Sequence, residues 1–437
     1  MYSKQLSAEL RKKNIEIGDR IVVKTRRLTI EGFLMPHTTE SESDILVIKL
    51  DNGYNIGADS SEAEISLVEK GKPIKEEKKE EEGEGDVSIL SCGGTISSKI
   101  EYRTGAVYPI MSPKELLTAF PQLGEISSVK VRRLFSLLSE DMAHEHWKII
   151  AKEVAGEIRN GAKGVVILHG TDTICYTAAA LSFMLQQLSV PVILVGAQRS
   201  SDRPSSDNEL NILNSVWTAK NSDLAEVAVC MHATMDDSYC HLHRGTRVRK
   251  MHNSRRDAFK SINAKPLAAV DYRKALFEKI SDYQKRDSSR KLVLDTKMNS
   301  NVAMLYIHPG IKPKLVDSLS DYDGVVVVGT GLGHLPTNPF NERNAHSILK
   351  NIKALIDSGI AVVMSSQTIY GRINMNVYTT GRVLERIGVI GNGADWTPET
   401  AFVKLCWVLG HEKKLTRVRE LMMRNIAGEI SERSVIL

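Results

Sequence analysis

The sequence contains no apolar run of about 18 residues, so it offers no membrane-spanning helix. Its N-terminus, MYSKQLSAELRKKN, lacks the apolar core of a secretory signal and reads as a charged helix. Five cysteines, Cys92, Cys175, Cys230, Cys240 and Cys406, are odd in number and form no CxxC pair, which points to reduced thiols in a cytoplasmic protein. No GxxxxGK[ST] phosphate loop occurs, so if ATP is used another chain must bind it. GTGLGHLP, from Gly329 to Pro336, lacks the full GxGxxG spacing, and no helical pattern begins directly after it. His144/His146 and His241/His243, the latter beside Cys240, have no second thiol or carboxylate cluster near them, and no metal is expected. No repeat of short period is visible.

What remains is an ordinary globular composition, 42% hydrophobic and 25% charged over 437 residues. That length suffices for about three domains. A net charge of +5 permits an acidic partner such as nucleic acid without requiring one.

Residues 1–70 read as a small β domain behind a short helix. IGDRIVVKTRRLTIEGFLMP alternates in the manner of strands, and Asn52-Gly53 marks a hairpin. The pattern suggests a small SH3-like barrel. Lys24, Arg26 and Arg27 form either a solvated face or a contact for RNA or protein. Residues 71–86, GKPIKEEKKEEEGEGD, form a charged linker. From Val87 to about residue 275 strands and helices alternate, as in a doubly wound α/β domain with a mostly parallel sheet. A second α/β unit spans 291–437, with strands in LVLDT, VAMLYI, GVVVVG and AVVMSS; residues 267–290 are expected to connect the two. Its last helix should open at Thr397 as N-cap, with Pro398 in the first turn.

Two stretches carry chemistry. GVVILHGTDT, Gly164 to Thr173, is a buried strand that ends in Thr171 and Asp172. VSILSCGGTIS, Val87 to Ser97, is another strand, running through Gly93-Gly94 into Thr95. Ligand sites of open α/β sheets lie at such strand ends. Two threonines there, one beside a carboxylate, suggest nucleophilic chemistry with a hydroxyl, which needs a base and an oxyanion site. The competing reading of Thr171, Asp172 or Ser139 is a helix N-cap. Tyr102 can relay a proton from a loop or be an ordinary loop aromatic. Lys250 lies in a run dense in Arg and Lys; buried beside a hydroxyl and an aspartate, such a lysine can act as a base.

GGTI, YRTGAV, SEDM, HGTDT, VPVILVGAQR and RVRKMHNSRRDAF, in this order over about residues 87–437, resemble the bacterial-type L-asparaginase family. With residues 1–86 included, the arrangement is closer still to the archaeal-type D subunits of glutamyl-tRNA(Gln) amidotransferases. The resemblance implies that Thr95 is the nucleophile attacking a side-chain carboxamide. It implies that Thr171, Asp172 and Lys250 are the second threonine and its partners, and that Tyr102 assists Thr95. Ser139 and Glu140, with Asp172, would bind the α-groups of the amino acid.

It implies further that the chain is a glutaminase subunit acting on L-glutamine through a threonine acyl-enzyme, with no cofactor of its own. A tRNA-binding partner subunit would bind Glu-tRNA(Gln), use ATP and Mg²⁺, and receive the ammonia to make Gln-tRNA(Gln). A homodimer carrying two partner subunits, a heterotetramer, is the implied assembly. The alternatives are a free-standing cytosolic L-asparaginase, and an RNA-binding or scaffold protein with an inactive asparaginase fold. Intact Thr95, Thr171, Asp172 and Lys250 argue against the last.

Overall fold

The computed structural model describes residues 2–26, 28–36, 42–51, 54–61, 63–71, 81–82, 85–97, 99–100, 107–108, 116–117, 119–199 and 205–434. Its first unit follows from alternation. In β1 (Arg20–Lys24), β2 (Thr29–Leu34), β3 (Ile45–Lys49), β4 (Asn55–Asp59) and β5 (Glu64–Glu69), every second side chain turns inward. Ile21, Val23, Ile30, Leu34, Leu46, Ile48, Ala58 and Ile65 share one small core with Leu6 and Leu10 of the helix Lys4–Lys12. The strands form an antiparallel sheet in the order β4-β3-β2-β1-β5. Ser3 caps the helix by accepting the Leu6 N–H at 3.1 Å. Lys24 and Arg26 are exposed. Arg27, Asn52 and Gly53 lie outside the described residues, as does 72–80 of the charged stretch.

The end of that charged stretch does more than separate units. β6 (Glu81–Glu82) adds an antiparallel edge to the main sheet, pairing with Val131 and Arg132. The sheet continues with β7 (Val87–Gly93), buried along its whole length. A short pair follows, β8 (Lys99–Ile100) with β9 (Val107–Tyr108). Then come β10 (Val129–Leu137), β11 (Gly164–Leu168), β12 (Leu185–Gln186), β13 (Val192–Val195), β14 (Val227–His232) and β15 (Cys240–Arg244). β16 (Val248–Lys250) and β17 (Phe259–Ser261) form a two-stranded ribbon. β18 (Ala268–Asp271) and β19 (Leu276–Lys279) close the first α/β unit.

The nine-stranded order is β19-β18-β15-β14-β13-β11-β7-β10-β6. β14, β13, β11, β7 and β10 are parallel. The outer strands β15, β18, β19 and β6 are antiparallel additions. The segment expected to connect the two units is therefore corrected in part. Residues 268–279 are the β18–β19 hairpin of the first sheet, with Ala268, Ala269 and Val270 buried against β15.

The second unit holds β21 (Val302–Tyr306), β22 (Gly324–Gly329) and β23 (Ala361–Ser366), all parallel. The strand expected in LVLDT shrinks to β20 (Val293–Leu294), which pairs with β12 of the first unit. The Asp295 N–H donates to the Met184 carbonyl, at the end of the helix Ile174–Met184, and holds the segment there. The helix Pro398–Leu409 opens as its sequence indicates, with Thr397 Oγ1 accepting the Thr400 N–H. This helix and Ile174–Met184 are apolar nearly all round, and one buried core runs through them from the first sheet into the second. Among the described residues no helix is long and apolar enough to cross a membrane.

Candidate active site

The parallel strands run in space as β14-β13-β11-β7-β10, so the chain reverses its winding direction between β7 and β11. Ligands of doubly wound sheets bind outside the carboxyl ends of strands at such a reversal. Thr95 follows β7 and Thr171 follows β11. The topology alone thus brings the two sequence-selected threonines to one crevice.

The two strand ends touch through backbone. Gly94 has φ +80°, and a Cβ there would stand 2.4 Å from both N and Cα of Gly170. Only glycine satisfies that conformation and that approach together. Thr95 then begins a 3₁₀ turn, Thr95–Ser97, with its side chain half-buried. On the other loop Thr171 is buried, and Lys250 Nζ donates to its Oγ1 at 2.8 Å and to Asp172 Oδ1 at 2.8 Å. Lys250 arrives from the last residue of β16, remote in sequence.

Neither Thr171 nor Asp172 caps the following helix. The N-cap position is Thr173, which makes no side-chain capping bond. Its Oγ1 donates instead to the Ser139 carbonyl at 2.6 Å and so ties the SED turn to the HGTDT loop. Ser139 is buried and opens the 3₁₀ turn Ser139–Asp141, while the helix behind it begins at His144 with Ala143 in the N-cap position. The capping reading of Ser139 therefore fails. Glu140 is exposed next to it. Tyr102 lies outside the described residues.

Several residues that the motifs did not single out hold this geometry. His169 is fully buried beneath the loop. Its Nδ1 faces the Gly170 carbonyl at 2.7 Å, and its Nε2 faces Thr177 Oγ1 at 2.9 Å. Trp147 Nε1 donates to the same hydroxyl at 3.0 Å. Thr177 therefore gives its proton to Nε2, and the ring carries its proton on Nδ1 for Gly170. Burial pushes the His169 pKa down to about 4, which keeps the ring neutral. Asn208 Nδ2 donates to the Ile96 carbonyl at 2.9 Å and pins the turn that carries Thr95. Asp207 beside it accepts the Gln198 and Arg199 N–H groups, fixing the loop after β13. Gly196 in that loop passes against Thr171, where a Cβ would meet Cγ2 at 2.8 Å.

His146 Nδ1 accepts the Ala143 N–H at 2.9 Å, and His243 Nδ1 pairs with Ser261 Oγ at 2.8 Å. GTGLGHLP makes a tight turn after β22, with Thr330 and His334 bonded to each other.

A two-domain α/β fold with two strand-end threonines, an aspartate and a lysine at its reversal point defines an asparaginase-type amidohydrolase. Known proteins agree. The model for "Asparaginase, N-terminal" matches residues 86–282, and that for "Glutaminase/Asparaginase C-terminal domain" matches 301–422. Among solved structures, the thermostable L-asparaginase from Thermococcus kodakarensis superposes with TM-score 0.69 at 29% identity, covering 79% of this chain and 99% of that one. L-asparaginase I from Vibrio cholerae gives 0.67 at 28% identity, covering 79% of this chain and 98% of that one.

The N-terminal unit separates this chain from those enzymes. The "GatD N-terminal domain" model matches residues 15–68. The glutamyl-tRNA(Gln) amidotransferase D subunit of Pyrococcus furiosus is 47% identical over 434 residues, 97% of this chain and 96% of that protein. Its counterpart of the same name in Methanothermobacter thermautotrophicus is 48% identical over 434 residues, with the same coverage. The chain belongs to the GatD family, the D subunits of glutamyl-tRNA(Gln) amidotransferases.

Proposed function

We propose that this chain is the glutaminase subunit of a tRNA-dependent amidotransferase, which releases ammonia from L-glutamine so that a partner subunit can convert Glu-tRNA(Gln) to Gln-tRNA(Gln). The observation that carries the reading is the Lys250–Thr171–Asp172 cluster, held beside the Thr95 turn by the Gly94–Gly170 contact. Relatives that bear the amidotransferase name match through the N-terminal unit as well as the asparaginase-like part.

A carboxamide is a poor electrophile with a poor leaving group, and a covalent intermediate divides its hydrolysis into two easier steps. Thr95 Oγ1 attacks the side-chain carbonyl carbon of glutamine. Its proton passes to the leaving nitrogen, ammonia departs, and an ester to Thr95 remains. Lys250 and Thr171 activate water for the second attack, which frees glutamate and restores the hydroxyl. Backbone N–H groups at the two strand ends receive the oxyanion. Ser139, Glu140 and Asp172 hold the α-groups of the amino acid, and Tyr102 assists Thr95. A tRNA-binding partner subunit uses ATP and Mg²⁺ to activate the glutamyl group. The working assembly is a cytoplasmic homodimer with a partner subunit on each copy.

The test is ammonia release from glutamine and from asparagine, by the chain alone and then with the partner subunit and Glu-tRNA(Gln). Glutamine-dependent release that rises with the loaded complex supports the reading. Asparagine-preferring release that is indifferent to partner and tRNA replaces it with a free-standing L-asparaginase. Thr95→Ala and Thr171→Ala should each abolish release in a folded chain.

A further inference from the structure

Lys250 does not sit on the main sheet. It ends β16, one strand of the two-stranded ribbon β16–β17. A ribbon of two three-residue strands is marginal by itself. Val248 and Phe259 bury one face of it in the main core and Ser261 bonds His243 of β15, while the residues at both ends of its base bond the second domain.

Arg247 immediately precedes β16 and is buried, at 2% exposure. Its Nη1 donates to the Asp395 carbonyl at 3.0 Å and its Nη2 to Asp395 Oδ1 at 3.2 Å. Nε reaches the Gly428 carbonyl at 2.8 Å, and Nη2 also reaches Ser431 Oγ at 2.9 Å. Asn263 stands two residues past β17. Its Nδ2 donates to the same Asp395 carbonyl at 2.8 Å and to the carbonyls of Ile369 and Gly371 at 3.2 Å each. Its Oδ1 accepts the Gly371 N–H at 2.8 Å. Two strained residues meet here: Asn263 has φ +55° and Ile369 φ +67°. A β-branched residue holds that conformation only where its surroundings over-determine it.

We propose that Asp395 of the second domain is a positioning residue for Lys250, acting through Arg247 and Asn263 at the two ends of the ribbon. This rests on the assignment of Lys250 to the reaction. Asp395 touches no reacting group. It fixes the ribbon's base, and the ribbon sets where the Lys250 Nζ stands relative to Thr171 Oγ1. Docking of the second domain is thereby a condition of catalysis in the first.

Two variants of the full chain test this. Asp395→Asn removes the charge opposite Arg247 and Arg372 and weakens the bonds from Ser431, while keeping the carbonyl that Arg247 Nη1 and Asn263 use. Asn263→Gly removes the side-chain bonds and suits the positive φ. Ammonia release is measured for each in the wild-type and Lys250→Met backgrounds, with the thermal unfolding midpoint as the check on folding. A displacement of about 1 Å at a reacting group costs up to about 100-fold in rate. We expect kcat to fall about 10- to 100-fold with KM unchanged, and no further loss once Lys250 is already Met. Folded variants with wild-type kcat would overturn the proposal. So would a loss of the same size in the Lys250→Met background, since the clamp would then act on something other than Lys250. If Asp395→Asn fails to fold, Asn263→Gly decides alone. Wild-type chain that hydrolyses neither amide refutes the glutaminase reading instead, a result distinct from either of these.

Discussion

Lys250 Nζ stands 2.8 Å from the Thr171 hydroxyl and 2.8 Å from the Asp172 carboxylate, joining residues 79 and 78 positions apart in the chain. The Asp172 side chain is 66% exposed, so its ion pair with Lys250 is partly in water. Such a pair contributes about 0–1 kcal/mol to stability. The arrangement therefore matters for chemistry far more than for folding. Lys250→Met should lower kcat by about 10²–10⁴-fold, the usual contribution of a positioned acid–base group. Its thermal midpoint should stay close to wild type. Steady-state kinetics paired with a melting curve separates the two effects; a large drop in midpoint with normal kcat would assign Lys250 to structure.

Gly94 makes the opposite demand, since its geometry matters to both fold and site. An alanine Cβ would press into Gly170 N and Cα at 2.4 Å, on a residue at φ +80°. The positive φ alone costs on the order of 1–3 kcal/mol in an L-residue. The clash must also push Thr95 and Thr171 apart. Gly94→Ala should lower stability by at least that amount and abolish ammonia release, whereas Gly124→Ala, where a Cβ meets nothing within 4 Å, should do neither. Urea unfolding and ammonia release on the two variants give the comparison.

Much of this site was legible because its motifs sit at strand ends. Apolar runs at Ile89-Leu90 and Val165–Leu168 announce buried strands, and Gly-Gly-Thr or His-Gly-Thr-Asp-Thr must follow where a parallel sheet opens to ligand. Lys250 could be named in its basic run, but only the family resemblance chose it over its neighbours, because nothing local tells a surface lysine from one folded back over about eighty residues. Asn208, Asp207 and Arg247 were not visible at all. Asn208 and Arg247 work by reaching backbone groups 112 and 148 residues away, and Asp207 by accepting N–H groups across the loop after β13, while their own neighbourhoods read as a helix start or a basic run. The β18–β19 hairpin was missed for a related reason. Its buried residues Ala268, Ala269 and Val270 are too small and few to signal a strand against charged surroundings.

Buried neutral histidines lower stability in acid. His169 and His243 are both almost wholly buried, with pKa values pushed down by burial to about 4 and about 3. In the unfolded chain each takes a proton near 6.5, whereas the folded rings stay neutral well below that. Between those values the unfolded state binds more protons, so stability is full above about pH 6.5 and falls as the pH drops through 6 and 5. Each histidine contributes a slope of up to about 1.4 kcal/mol per pH unit there. His243→Asn should reduce that slope by about one proton's worth. Unfolding free energies measured from pH 7 to 4.5 test this, and an unchanged slope would mean that His243 is protonated in the folded chain.

The C-terminal segment that meets Arg247 is itself anchored by a fully buried ion pair. Lys404 Nζ lies 2.5 Å from Glu429 Oε1, both side chains at 0% exposure, and Lys404 also donates to the carbonyls of Met422 and Arg424 at 2.6 Å each. Glu429 in turn accepts the Ile426 and Ala427 N–H groups. Burial pushes the Lys404 pKa down, and the facing carboxylate opposes that shift. Removing one partner strands the other charge out of water, at a cost of about 3–5 kcal/mol. Lys404→Met and Glu429→Gln should therefore each destabilise the chain by about that amount, the first by stranding the carboxylate, the second by leaving the ammonium unpaired and turning an amide NH2 toward donors that the carboxylate now accepts. Gly428 lies next to Glu429, and Ser431 follows two residues later; both bond Arg247. A folded Glu429→Gln chain should then lose kcat along with stability, by loosening the base of the Lys250 ribbon. Normal kcat in that variant at a temperature well below its midpoint would show that the tail stabilises the fold without reaching the site.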